Sequence, residues 1–162
     1  MYTPSLRNLI TQFLILEIGA VALYRTHRRL VPTALKPLFQ EFEAIEIDHR
    51  EQFARLYRQM NHGRNWWGMP FAAFGAKILA LAVGLGGARA ILTFERNIER
   101  KAVADYTDAL HTVEHAATRA TLQRVLADEI RHDELISVLR EYRGDEERHI
   151  RELEKALRGY EK

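Results

Sequence analysis

Glutamate and histidine recur along this chain in a repeated order: Glu17, then Glu46-x-x-His49, then Glu95, then Glu129-x-x-His132. Carboxylates can bridge two cations while an imidazole caps one, so these six side chains suit a pair of divalent ions inside a helical bundle. The charges agree, because two divalent ions neutralise four carboxylates. Without metal, each of the four anions would cost on the order of several kcal/mol to bury.

A lone Glu-x-x-His carries little weight. A chain with 16 glutamates and 7 histidines yields roughly one by chance. A third is present, Glu146–His149, expected to be exposed on a charged terminal helix. The other two differ because they fall on apolar helical stripes. Residues 5–28 repeat Leu6, Leu9, Ile10, Phe13, Leu14, Ala20, Val21 and Tyr24 at helical spacing, with Glu17 in the middle of that face. Pro32 and Pro37 mark a turn and a new helix start. The second helix carries Leu38, Phe42, Ile45, Phe53, Leu56 and Met60, with Glu46 and His49 one turn apart on the same face. It stops at Asn61-His62-Gly63. Glu17 and Glu46 are equidistant from Val31-Pro32, so an antiparallel hairpin sets them level.

The third bundle helix starts near Ala88 and carries Ile91, Leu92, Glu95, Ile98, Ala102 and Tyr106; the fourth carries Leu122, Val125, Leu126, Glu129, His132, Ile136 and Leu139. Levelling Glu95 with Glu129 places the turn at Leu110–Glu114, with Thr112 as helix cap. Glu99, one turn beyond Glu95, reads as a rim acid or an alternate ligand. Tyr24 and Tyr106 read as core tyrosines on the metal-bearing faces, a hydrogen-bond donor to the ligands or a redox-active residue being the alternative. His27, His62, His111 and His115 lie near helix ends and are assigned no role. Gly144 is expected to separate a last amphipathic helix with Ile150, Leu153 and Leu157.

Composition bounds the rest. The 162 residues are 47% hydrophobic and 28% charged with four prolines, which suits one all-α domain over 1–162. Absent cysteine excludes disulfides, zinc–thiolate sites and cysteine-ligated iron–sulfur centres, and fits a cytoplasmic setting. The net charge is only +2, from interspersed acids and bases, so no nucleic-acid partner is expected. The apolar N-terminal stretch reads as helix, not as a signal peptide, because Glu17 interrupts it. Residues 78–88 carry no charge. The short helix expected over about 71–83 cannot span a bilayer, which takes about 20 residues. It suits a subunit interface in a homo-oligomer, or peripheral contact with a membrane's inner face through residues 66–88, anchored by Trp66, Trp67 and Lys77.

Several of these segments resemble one family. Glu17-Ile18-Gly19-Ala20 with Tyr24, Glu46-Ile47-Asp48-His49 with Phe53, the block Asp128 to Glu134, and the apolar glycine-containing crossover before Phe94-Glu95 are similar to the demethoxyubiquinone hydroxylase family. The resemblance implies a ferritin-like four-helix bundle with a short apolar crossover helix and an extra C-terminal helix. It implies Glu17, Glu46, His49, Glu95, Glu129 and His132 as ligands of two iron ions, manganese being the alternative. It implies an oxygen-activating monooxygenase that hydroxylates an apolar, quinone-like substrate using dioxygen and a separate electron donor. The His-Tyr pair expected about two turns beyond the third-helix glutamate is replaced, counting from Glu95, by Lys101-Ala102. Bacterioferritins share the ligand types, but Ile47 stands where their haem-ligating methionine would be, so no haem is expected. A ferritin- or rubrerythrin-like iron-oxidising or peroxide-detoxifying protein is the alternative.

Overall fold

The computed structural model describes the backbone of residues 3–60 and 68–160, and the side chains of residues 3–60 and 70–141. Among these residues there are five α-helices, one 3-10 turn and no strand: α1 (Pro4–Leu30), the turn Thr33–Leu35, α2 (Lys36–Met60), α3 (Gly68–Gly84), α4 (Gly87–Thr112) and α5 (Ala116–Tyr160). Helices α1 and α2 pack along each other, as do α4 and α5, and α3 crosses between the pairs against α1. This is the ferritin-like four-helix bundle with its apolar crossover. His62, Trp66 and Trp67 lie outside the described residues. So do the side chains of Glu146, His149, Ile150, Leu153 and Leu157.

Local chemistry explains the boundaries. Thr3 Oγ1 accepts from the Leu6 amide and Pro4 occupies the first turn, so α1 starts there. It ends at Leu30, with His27, Arg28 and Arg29 in its last turn opposing the helix dipole. The α3–α4 junction depends on Gly87, whose φ of 72° is a left-handed conformation that a side chain would strain. The α4–α5 connector is residues 113–115, which overlaps the end of the expected turn. Thr112 does not cap α5, however. Its hydroxyl bonds back to the Ala109 carbonyl, and His115 Nδ1 instead accepts from the Thr118 amide at 3.3 Å. The expected break at Gly144 is absent: the C-terminal helical segment is a continuation of α5, which runs unbroken for 45 residues. One glycine inside a helix costs only about 1 kcal/mol.

The interior is apolar at both ends and polar between. Ile10, Phe13, Phe53, Leu56, Leu122 and Val125 belong to one buried cluster; Tyr24, Phe39, Phe42, Ile91, Leu92 and Ile136 belong to the other. Helix α1 is long and apolar enough to cross a membrane by length and composition. Here its apolar face is shared among α2, α3 and the core, and Glu17 and His27 are buried on it. The crossover presents a different surface. Phe71, Phe74, Ile78, Leu81 and Leu85 are all more than half exposed, and their spacing of three and four residues makes them one outward stripe.

Candidate metal centre

Two groups of donor atoms meet in the polar layer. Glu17, Glu46, His49 and Glu129 form one, and Glu46, Glu99, Glu129 and His132 form the other; within each group the donors lie within 4.8 Å of one another. Glu46 and Glu129 belong to both groups and turn one oxygen to each. His49 Nδ1 is 3.7 Å from Glu46 Oε2 and 3.5 Å from Glu129 Oε1. His132 Nδ1 is 3.4 Å from Glu46 Oε1 and 3.9 Å from Glu129 Oε2. Glu17 Oε2 completes the first group, 3.8 Å from His49, and Glu99 Oε2 the second, 3.5 Å from His132.

These atoms fit metal ions and fit little else. The separations are too long for hydrogen bonds. Two atoms on one divalent ion, each about 2.1 Å from it, stand about 3 to 3.4 Å apart, close to what is seen. Glu46 Oε1 and Oε2, His49 Nδ1, Glu99 Oε2 and His132 Nδ1 are all buried without a hydrogen-bond partner. Buried polar atoms are almost always satisfied, so a cluster of orphaned donors pointing at shared space is best explained by cations between them.

The supporting contacts repeat across the bundle. Tyr106 on α4 donates its hydroxyl to Glu17 on α1, and Tyr24 on α1 donates to Glu99 on α4. The tyrosines that sequence alone reads as core residues are core residues, with hydroxyls committed to the two outer carboxylates. Burial, and then the neighbouring carboxylates, push both phenols well above their ordinary pKa, which keeps them as donors. His49 Nε2 faces Asp128 Oδ2 at 3.1 Å. A carboxylate only accepts, so the proton sits on Nε2 and the Nδ1 lone pair faces the site. Glu43, buried one turn before Glu46, is not part of this layer. Arg25 and Arg28 from α1 hold it at 2.7 and 3.0 Å.

Glu95 stands apart from both donor groups, and Glu99 takes the place expected for it. Glu95 Oε1 is bonded to His27 Nδ1, and His27 Nε2 is 3.1 Å from the Ala80 carbonyl of α3. That carbonyl only accepts, so Nε2 carries a proton, and one more is shared between Nδ1 and Glu95. The pair is therefore neutral overall, and His27, assigned no role from sequence, neutralises a fifth buried carboxylate beside the site. A signal for Glu99 was present in the chain. Glu17 and Tyr24 are seven residues apart, and so are Glu99 and Tyr106. Glu114, midway between Glu99 and Glu129, is also the centre of the observed α4–α5 connector.

Protons occupy the site's electrostatics in the absence of cations. Burial, then the Glu46 carboxylate, raises Glu17 well above the ordinary range; burial, Glu46 and Glu99 do the same to Glu129. Burial also opposes the charge on Glu46, but the facing imidazoles of His132 and His49 outweigh it and hold Glu46 below that range. Burial would lower His132, yet Glu46 and Glu99 push it up to about 9. Burial raises Glu95 to about 7 against the opposing effect of His27.

A slot between α1 and α4 leads to the carboxylate side of the centre. It encloses about 150 Å³ and is lined by Phe13, Leu16, Gly19, Ala20, Ala102 and Tyr106, with Glu17, Glu46, Glu99 and Glu129 at its floor. Small residues at 19, 20 and 102 leave the gap. Leu16 and the Lys101–Asp105 ion pair stand at the mouth. Neither His49 nor His132 lines it.

The family model described as ubiquinone biosynthesis protein COQ7 matches residues 16–158, nearly the whole chain. No curated protein and no solved structure matches.

Two outcomes are expected. Each raised group stabilises the metal-free fold below its ordinary pKa and ceases to do so as pH climbs through the folded value. For Glu95 that window runs from 4.5 to about 7, and for His132 from 6.5 to about 9. The melting temperature of metal-free protein therefore falls between about pH 5 and pH 9, and a rise over that range would contradict the assignment. Metal analysis separates the two α4 glutamates: Glu99→Ala should lose one ion of two, while Glu95→Ala should keep both.

Proposed function

The chain belongs to the ubiquinone biosynthesis protein COQ7 family, and from that membership we propose that it is a di-iron hydroxylase acting on an apolar, quinone-like ring. The observation that carries this reading is the pair of donor groups sharing Glu46 and Glu129, in which both Glu46 oxygens, Glu99 Oε2 and the Nδ1 atoms of His49 and His132 are buried and unpartnered. Glu17, Glu46, His49 and Glu129 would hold one ion, and Glu46, Glu99, Glu129 and His132 the other. Carboxylate and imidazole donors suit iron, and manganese is the nearest competitor. Bound there, iron supplies the redox chemistry by which dioxygen is activated.

The chain's own residues prepare the reaction. Tyr106 and Tyr24 orient the outer carboxylates, and Asp128 orients His49. The slot admits a flat apolar ring to the open, carboxylate side, while the imidazoles pack on the opposite side, His132 against Phe42 and Tyr24. The apolar clusters above and below keep bulk water from the centre. A reductant outside the chain completes the electron balance. The outward stripe of α3 is suited to lie on the inner face of a membrane, where such a substrate dissolves.

The direct test supplies iron-loaded protein with a reductant, dioxygen and a short-chain quinone lacking one ring hydroxyl, and looks for the hydroxylated product by mass. Ala102→Leu narrows the slot, so product formation should fall at least about tenfold with iron content unchanged. Iron oxidation running far past two per chain, with soluble ferric product and no hydroxylation, would instead indicate iron storage. The membrane contact has its own check. Wild-type protein should float with phospholipid vesicles, and the Phe74→Glu/Ile78→Glu protein should not. A wild-type dimer that ignores vesicles would assign the stripe to self-association.

A further inference from the structure

The two halves of the centre follow one repeat. Glu17 with Tyr24 on α1 corresponds to Glu99 with Tyr106 on α4, and Glu46-x-x-His49 on α2 corresponds to Glu129-x-x-His132 on α5. Places where the repeat fails are therefore informative. It fails behind the histidines. The residue before Glu129 is Asp128, which accepts from His49 Nε2 at 3.1 Å, whereas the residue before Glu46 is Ile45. His132 Nε2 is buried with no hydrogen-bond partner. Its ring lies against Phe42, with centroids 4.3 Å apart, and edge-on to Tyr24 at 6.2 Å.

We propose that the two metal positions are inequivalent: the His49 position binds the first ion tightly, the His132 position binds the second weakly and exchangeably, and Asp128 sets the difference. The inference rests on the di-metal reading above. To ligate through Nδ1, a neutral imidazole must carry its proton on Nε2. At His49 that proton has an anionic acceptor, which fixes the tautomer, holds the ring and makes Nδ1 more basic. At His132 the same proton has no acceptor among the described residues, so ligation there includes an unsatisfied buried donor. The extra carboxylate near Glu99 does not redress this, because Glu95 is neutralised by His27. Asp128 touches no ion and acts through His49, so it is a positioning residue.

The test is a titration of metal-free, full-length protein with Co(II), followed by its visible absorption and by calorimetry. Two resolved events are expected, with the second weaker by about 10–100-fold. Asp128→Ala should weaken the first event by about the same factor and leave the second in place. Ile45→Asp, which puts a carboxylate behind His132, should strengthen the second event. Asp128 and Ile45 are both half-buried, and helical circular dichroism of both variants should match wild type. Equal or cooperative binding of two ions by wild-type protein would overturn the inequivalence, as would a first event unchanged in Asp128→Ala. No cobalt binding at all would sink the di-metal reading itself.

Discussion

Charge balance in the bundle interior is the constraint on which the rest of this structure depends. Glu17, Glu46, Glu99 and Glu129 lie in one buried layer between two apolar clusters. Four anions so placed repel one another and have lost their water. The fold tolerates them only with an equal positive charge between them, as protons or as two divalent ions. Every contact around the layer follows that requirement. The tyrosines donate to the outer carboxylates, the imidazoles face the inner ones, and the additional acids are neutralised separately, Glu43 by two arginines and Glu95 by His27.

The same layer gives the centre a direction. Glu17 and Glu99 come from α1 and α4, and the small side chains at Gly19, Ala20 and Ala102 leave the slot between those helices unfilled. The two Glu-x-x-His motifs come from α2 and α5 and face them across the layer. One side is thus open to a small apolar molecule, and the other is packed. A slot that ends on exchangeable carboxylate ligands rather than on imidazoles suits a reaction in which a substrate and dioxygen approach the same face. Membership of the COQ7 family supplies the chemical class, and in the proposed function the slot is the substrate's route.

Much of this was legible without coordinates. Periodicity located the four bundle helices, Pro32 the first turn, and the Glu-x-x-His pairs two of the four sides of the centre. The third-helix glutamate was not legible in the same way. Glu95 and Glu99 differ by one turn, so both lie on the same helical face, and local periodicity cannot choose between them. Levelling Glu95 with Glu129 put the connector's centre at 112, two residues before the observed centre at 114. His27 was passed over because a position near a helix end usually sees solvent. Here the crossover covers it, and Ala80 accepts one of its protons. Gly144 misled in the other direction, since a single glycine costs only about 1 kcal/mol and does not by itself stop a long helix.

What the sequence alone determined is the kind of chemistry: four acids and two histidines on apolar helical faces have no stable buried arrangement without compensating protons or cations, whichever acid of α4 is used. The tertiary structure decided which acid of α4 joins the two donor groups. Coordination is a matter of a few ångströms, and the axial register of α4 against α5, set by the packing of the two helices and by the three-residue connector, brings Glu99 level with His132 and turns Glu95 to His27. It also decided that Asp128 stands behind one histidine while a phenylalanine ring packs on the other. Those partners come from different helices, and only packing makes them neighbours.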